Sequence, residues 1–146
     1  MKKVFLAMAI VMAMLLTSQV VQAQAPTGNI ANVTQLKQKW PEKGSRTTRD
    51  SLIAIYNDMV IRKNEYILSH REYSHFYTPS NQDYFIVEEY KDMAAMEKAN
   101  DMNTELEKKG WPDEAKRKAF MEAMGAYFEN WHGDAIYSTN PKLSKN

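Results

Sequence analysis

The run "EYILSHREYSHFYTPSNQDYFIVEEYKD", residues 65–92, constrains the fold more than any other part of the chain. From Glu65 to Tyr77 it is rich in aromatic and β-branched residues, and "DYFIVEEY" repeats that character after a break at "TPSNQD". Pro79, Ser80, Asn81 and Asp83 are turn formers, so the pattern predicts two strands joined as an antiparallel hairpin. On the first strand Tyr66, Leu68, His70, Glu72, Ser74 and Phe76 share one face, and Ile67, Ser69, Arg71, Tyr73, His75 and Tyr77 share the other. On the second, Tyr84, Ile86 and Glu88 lie opposite Phe85, Val87 and Glu89. Neither face is cleanly apolar. A strand of that kind is covered in part on both sides, by helices or by a partner chain.

Helical patterns flank the hairpin. Leu52, Ile53, Tyr56, Met59 and Val60 recur at helical spacing, which predicts a helix over 48–62 with Thr47 and Asp50 as a capping pair. After the hairpin, "KDMAAMEKANDMNTELEKKG" opens on Asp92 as a cap and closes on Gly110 as a left-handed terminator. A third helix is expected from Pro112 through "DEAKRKAFMEAMGAYFENW", with Phe120, Met124, Tyr127, Phe128 and Trp131 as its apolar face. "HGDAIYS", residues 132–138, then reads as a turn in which Gly133 releases the helix, followed by a short returning strand. Strands and helices in this order make an α+β architecture. Nothing before Thr47 alternates cleanly. Either the polar stretch 24–46 supplies a further strand, or a second copy of the chain packs sheet to sheet.

The N-terminus has the form of a secretory signal. Lys2 and Lys3 precede an apolar run from Val4 to Leu16, and Val21 and Ala23 occupy the small-residue positions of a cleavage site. The run is shorter than the roughly 20 apolar residues a membrane span requires, so no stable membrane insertion is expected after cleavage. The expected organisation is a signal peptide at 1–23, a polar lead-in at 24–46 and one α+β domain at 47–146, exported to the periplasm or secreted. The sequence holds no cysteine, which excludes disulfides and thiol chemistry. Its 19 basic and 18 acidic residues are nearly balanced, so charge alone draws it to no nucleic acid.

Two residue sets carry candidate chemistry. The histidines are His70, His75 and His132; alternation sends His70 and His75 to opposite faces of one strand. An acid–base site would combine His75, or His70, with His132, Asp134 and Glu88, provided that the terminal segment returns to the sheet. The structural alternative has Asp134 satisfying backbone N–H groups at a turn and His132 bonding a carbonyl. An aromatic ligand cavity would draw its orienting polar groups from Arg71, Tyr73, Tyr84, Tyr127 and His75. The plainer reading makes those rings core and dimer interface. No metal-binding spacing, nucleophile elbow or phosphate loop is present, and no metal or cofactor is expected.

"HREYSHFYTPSNQDYFIVEEYKDMAAMEKAND", "WPDEAKRKAFMEAMGAYF" and "HGDAIYS" together resemble small exported bacterial proteins with the dimeric ferredoxin-like α+β barrel fold. The resemblance covers roughly residues 47–138. It implies a ferredoxin-like antiparallel sheet packed with helices and a homodimer whose sheets meet face to face. The wider superfamily includes monooxygenases, haem-degrading enzymes and stress-response proteins, so the resemblance implies no single reaction. The functional expectation is an exported homodimer binding a small apolar or aromatic ligand. The alternative is a small cofactor-free oxygenase or isomerase using a His/Asp pair in an aromatic pocket.

Overall fold

A computed structural model describes residues 28–77 and 79–142. The signal segment expected at 1–23 lies outside the described residues. The element order is β1 (Ile30–Gln38), α1 (Arg46–Met59), a single 3₁₀ turn (Ile61–Lys63), β2 (Ser69–Ser74), β3 (Asp83–Tyr90), α2 (Met93–Gly110), α3 (Glu114–Gly125) and β4 (Phe128–Ser138). The four strands form one antiparallel sheet in the order β2-β3-β1-β4, and the sheet is not closed into a barrel. This is the ferredoxin-like α+β arrangement that the sequence predicts.

The hairpin is as expected: β2 and β3 pair antiparallel from Ser69 opposite Glu89 to Ser74 opposite Tyr84. The missing strand comes from within the stretch read as a polar lead-in. Residues 30–38, "IANVTQLKQ", lie between β3 and β4 and pair with both. The domain therefore takes in β1 as well as residues after 46. Asn32, Thr34 and Gln38 stand where apolar side chains would make the alternation visible. The segment becomes a strand because neighbours on both sides engage its backbone N–H and C=O groups.

Three further expectations are corrected. The first helix is capped by Ser45, whose hydroxyl accepts from the Thr48 N–H at 3.1 Å, rather than by Thr47. Gly110 is the last residue of α2 and not a left-handed terminator, since no glycine among the described residues has positive φ. Asp113, not Pro112, opens α3 by accepting from the Lys116 N–H at 3.1 Å. Asp92 caps α2 as the sequence predicts, accepting from Ala95 N–H at 2.8 Å. Caps of this kind contribute about 1 kcal/mol each.

The largest correction concerns the C-terminal third. The helix expected to reach Trp131 ends at Gly125, and the chain enters β4 at Phe128. Gly133 and Asp134 lie inside that strand, opposite Gln35 and Thr34, so "HGDAIYS" is not a turn. Phe128 and Trp131 suit a pleated surface as well as a helical face, and pairing with β1 decides between them. The register shifts between Leu36 and Gln38, whose partners are His132 and Phe128, so β4 bulges there.

Packing divides the helix-covered face of the sheet into two buried ends and a hollow middle. At one end Ile30, Tyr90 and Ala99 are buried, with Tyr66, Ile67, Ala95 and Met96 packed against them. At the other end Gln38, Arg49, Tyr84 and Tyr127 are buried. The Arg49 guanidinium lies over the rings of Trp40 and Tyr84, at 5.4 and 5.3 Å, and Asp50 Oδ1 accepts from its Nε and Nη2 at 2.9 and 2.7 Å. Trp40 in turn meets Tyr127 edge to face at 6.2 Å. Gly44 is required here, because a Cβ at that position would come within 2.9 Å of the Tyr127 ring and 2.7 Å of Pro41. The sheet centre between these two ends carries the cavity.

Candidate functional site

The cavity has a volume of about 360 Å³, within the range of small-molecule sites. Leu36, Ile86 and Phe128 from the sheet, with Ile53, Ile61, Met121 and Met124 from the helical side, form its apolar wall. Its polar floor is built on the hairpin. His70 and Glu72, two residues apart on β2, project to the helix side together, as period-two alternation requires. Glu88 sits directly opposite His70 on β3, and Tyr84 is diagonal to Glu72.

These groups form one continuous hydrogen-bonded cluster. His70 Nδ1 lies 2.9 Å from Glu88 Oε1, and His70 Nε2 lies 3.0 Å from Glu72 Oε1. Asn57 Nδ2 donates to Glu72 Oε1 at 2.7 Å, the Tyr84 hydroxyl donates to Glu72 Oε2, and the Tyr90 hydroxyl donates to Glu88 Oε2 at 2.5 Å. Both imidazole nitrogens face carboxylate oxygens, which requires an N–H on each and hence the imidazolium form. Burial opposes that charge, but the hydrogen bonds and charges of Glu72 and Glu88 outweigh it and raise the His70 pKa to about 9. Glu72 is shifted below the usual carboxylate range: burial works against the shift, and bonds from His70, Tyr84 and Asn57 override it. Burial, and then donation to their carboxylates, push the Tyr84 and Tyr90 hydroxyls well above their ordinary range. Tyr56, on the cavity wall, is raised in the same way, donating to Glu107 at 2.8 Å. Two shallower hollows adjoin the cavity and share Asn57 and His70 with it, so it opens between α1 and the β2 edge.

The residues singled out in the sequence are dispersed. Of them, Tyr84, His70 and Glu88 line the cavity. Tyr127 is buried beside Trp40, and its N–H reaches the Met124 carbonyl at 3.2 Å. Arg71 and Tyr73 are exposed on the other face of β2, opposite Val87 and Phe85. His75 follows β2 at one edge of the sheet, its N–H bonded to the Asp83 carbonyl at 3.1 Å. His132 and Asp134 are on β4 at the opposite edge, 3.2 Å apart and with side chains 64% and 47% exposed. The structure therefore does not bring His75 together with His132 and Asp134; two strands separate them. Asp134 does reach the cavity rim indirectly, accepting from the Thr34 hydroxyl at 2.6 Å.

The cluster that does form joins His70, named as the alternative to His75, and Glu88, named as a site member, with Glu72 and Asn57, which composition and spacing did not single out. Their signal was the shared face of His70 and Glu72, set beside Tyr84 and Glu88 across the hairpin. Among the described residues no group of three or more His, Asp or Glu is placed to hold a metal ion. His70 spans its two carboxylates on opposite ring nitrogens instead of converging with them. No helix among the described residues is long and apolar enough to cross a membrane.

Among solved structures, the chain is similar to a Caulobacter crescentus protein described as a candidate antibiotic biosynthesis monooxygenase, with TM-score 0.51 and 16% identity over 80% of this chain and 93% of that one. The chain has the ferredoxin-like fold of that protein. Two others align at lower scores. SnoaB, a cofactor-independent oxygenase from Streptomyces nogalater, gives TM-score 0.47 and 13% identity over 81% of this chain and 99% of its own. A dimeric ferredoxin-like protein of unknown function from Bacteroides fragilis gives 0.46 and 8% over 78% and 99%. No protein-family model and no curated protein matches the sequence. Likeness at these identities speaks for the fold alone.

Proposed function

We propose that this chain is an exported small-ligand-binding protein, its site the cavity between sheet and helices. The observation that carries the binding reading is the pairing of an apolar wall with a single satisfied polar floor, His70–Glu72–Glu88. Two buried clusters hold the sheet and helices apart on either side of it. A cavity of about 360 Å³ accepts a bicyclic aromatic body. 1-Naphthol is expected to bind with a Kd on the order of 0.1–1 mM, or roughly 0.4–0.5 kcal/mol per non-hydrogen atom. Ile53→Trp, which fills the cavity from α1, is expected to weaken that binding at least tenfold. Saturation-transfer NMR reads both; equal binding by the filled variant would place the ligand elsewhere.

A second reading, a small oxygenase or isomerase working without a cofactor, is favoured by the same cluster. Glu88 accepts fewer hydrogen bonds than Glu72 and has acceptor capacity left to take a proton from a cavity ligand. In this reading the acid–base pair is His70 with Glu88, not His132 with Asp134. Conversion of the bound ligand, with or without consumption of dissolved oxygen, separates an enzyme from a binding module.

We also propose a homodimer formed through the other face of the sheet. The helices pack on one face only. The opposite face presents Ala31, Val33, Phe85, Val87 and Ala135 with the rings of Tyr73 and Tyr137, which are 48% and 58% exposed. A contiguous apolar sheet face of this kind suits a self-complementary contact about a two-fold axis. Light scattering is expected to give twice the monomer mass, and Val33→Arg, at the centre of the face, to return it to the monomer value. A wild-type chain that runs as a monomer at micromolar concentration would remove the proposal.

A further inference from the structure

The hydrogen-bonding inventory of the cavity states which ligands its floor prefers. The imidazolium and hydroxyl donors of the floor are engaged, which leaves the neutral amides of Asn57 and Asn103 as the donors with N–H groups to offer. Both His70 N–H groups face carboxylates, the Tyr84 and Tyr90 hydroxyls donate to Glu72 and Glu88, the Tyr56 hydroxyl donates to Glu107, and the Thr34 hydroxyl donates to Asp134. The acceptors are not exhausted. A carboxylate offers about four lone-pair sites. Glu72 accepts from His70, Asn57 and Tyr84, whereas Glu88 accepts only from His70 and Tyr90 among the described bonds.

The charges point the same way. Two carboxylates around one imidazolium leave one net negative charge on the floor. No lysine or arginine is among the residues that line the cavity. Arg49, stacked on the Tyr84 ring behind the floor, is paired with Asp50, and Arg62 beside the entrance is paired with Asp58. The remaining polar lining, Asn57 and Asn103, is neutral. An anionic ligand would therefore enter a cavity whose one cation, the His70 imidazolium, is already held by two carboxylates, which is costly. A cationic donor would meet a carboxylate with lone pairs to spare.

Resting on the reading of this cavity as a small-ligand site, we propose that it selects amines: a primary or secondary ammonium group carried on an apolar or aromatic body. The ammonium donates to the open acceptor positions of Glu88, and the apolar body lies against Ile53, Ile86, Met121, Met124 and Phe128. Neutral ligands of the same shape bind less tightly, and carboxylates least of all.

The test uses three probes with the same naphthalene body: 1-naphthylmethylammonium, 1-naphthylmethanol and 1-naphthoate, titrated calorimetrically into the full chain at pH 7. The ammonium is expected to bind about tenfold more tightly than the alcohol, and the naphthoate more weakly than either. Glu88→Gln removes the net negative charge while keeping the shape of the floor. It is expected to cut the preference for ammonium over alcohol to threefold or less. Naphthoate binding as tightly as the ammonium in the wild-type chain overturns the inference, whether or not the variant folds. A preference left intact by Glu88→Gln in a folded variant also overturns it. Failure of all three probes overturns the cavity reading itself, and the inference with it; binding of the alcohol with the wrong charge order overturns the inference alone.

Discussion

Replacing Glu72 by alanine is expected to lower the unfolding free energy by about 2–4 kcal/mol, somewhat below the range for a fully buried charge pair because both side chains keep some contact with water. Glu72 is the acceptor for three donors from three places in the fold: Asn57 on α1, His70 on its own strand and Tyr84 on β3. Its loss leaves a half-buried imidazolium with one carboxylate instead of two, and strands a hydroxyl in a buried side chain that is only 4% exposed. Each stranded donor costs about 1–3 kcal/mol, and the three losses are coupled and do not add. Glu72→Gln retains an acceptor oxygen for Tyr84 or Asn57 but presents an amide donor to His70, so about half the alanine cost is expected. Urea unfolding at pH 7 measures the difference. A cost below about 1 kcal/mol for Glu72→Ala would show that the cluster does not hold the hairpin against α1.

Stability is also expected to fall as pH rises from about 6.5 to about 9, and His70 is the reason. Its pKa is raised from 6.5 to about 9 in the folded chain, so the native state binds the extra proton more tightly than the unfolded one. The stabilisation is fully present below pH 6.5 and is lost as pH climbs through 9. After allowance for water at the cavity entrance, about 1–2 kcal/mol is at stake. The other displaced groups titrate elsewhere: Glu72 and Asp83 are lowered carboxylates, and Tyr56, Tyr84 and Tyr90 are raised phenols. Glu72 adds stability above its ordinary range that is lost as pH falls into the acid region. Chemical unfolding at pH 6, 7.5 and 9 should therefore give a declining series for the wild-type chain. His70→Gln should start lower at pH 6 and be nearly flat. A wild-type chain with no decline over that window would mean that His70 is neutral in the fold.

Most of the secondary structure was legible, and the reasons are local. Turn residues between two aromatic runs specify the hairpin, because alternation and turn chemistry are properties of neighbouring residues. Asp92 announces the start of α2 for the same reason. The placement of His70 and Glu72 on one face and His75 on the other also follows from period two alone. β1 was not legible, and of β4 only the returning end at 135–138 was. β1 carries Asn32, Thr34 and Gln38 on its covered face, and β4 begins with aromatics that also fit a helix. Pairing with each other, and of β1 with β3, makes them strands.

Local patterning specifies the hairpin, the two faces of each of its strands and a supply of carboxylates, tyrosines and histidines on them. Which of these groups meet depends on how the strands are ordered and registered in the fold. Strand order puts His75 and the His132–Asp134 pair on opposite edges, β2 and β4, while the β2–β3 register sets His70 directly across from Glu88. A face assignment is fixed by local backbone geometry. A site depends on which strands become neighbours, and that is settled by hydrogen-bond pairing and burial between segments far apart in the chain.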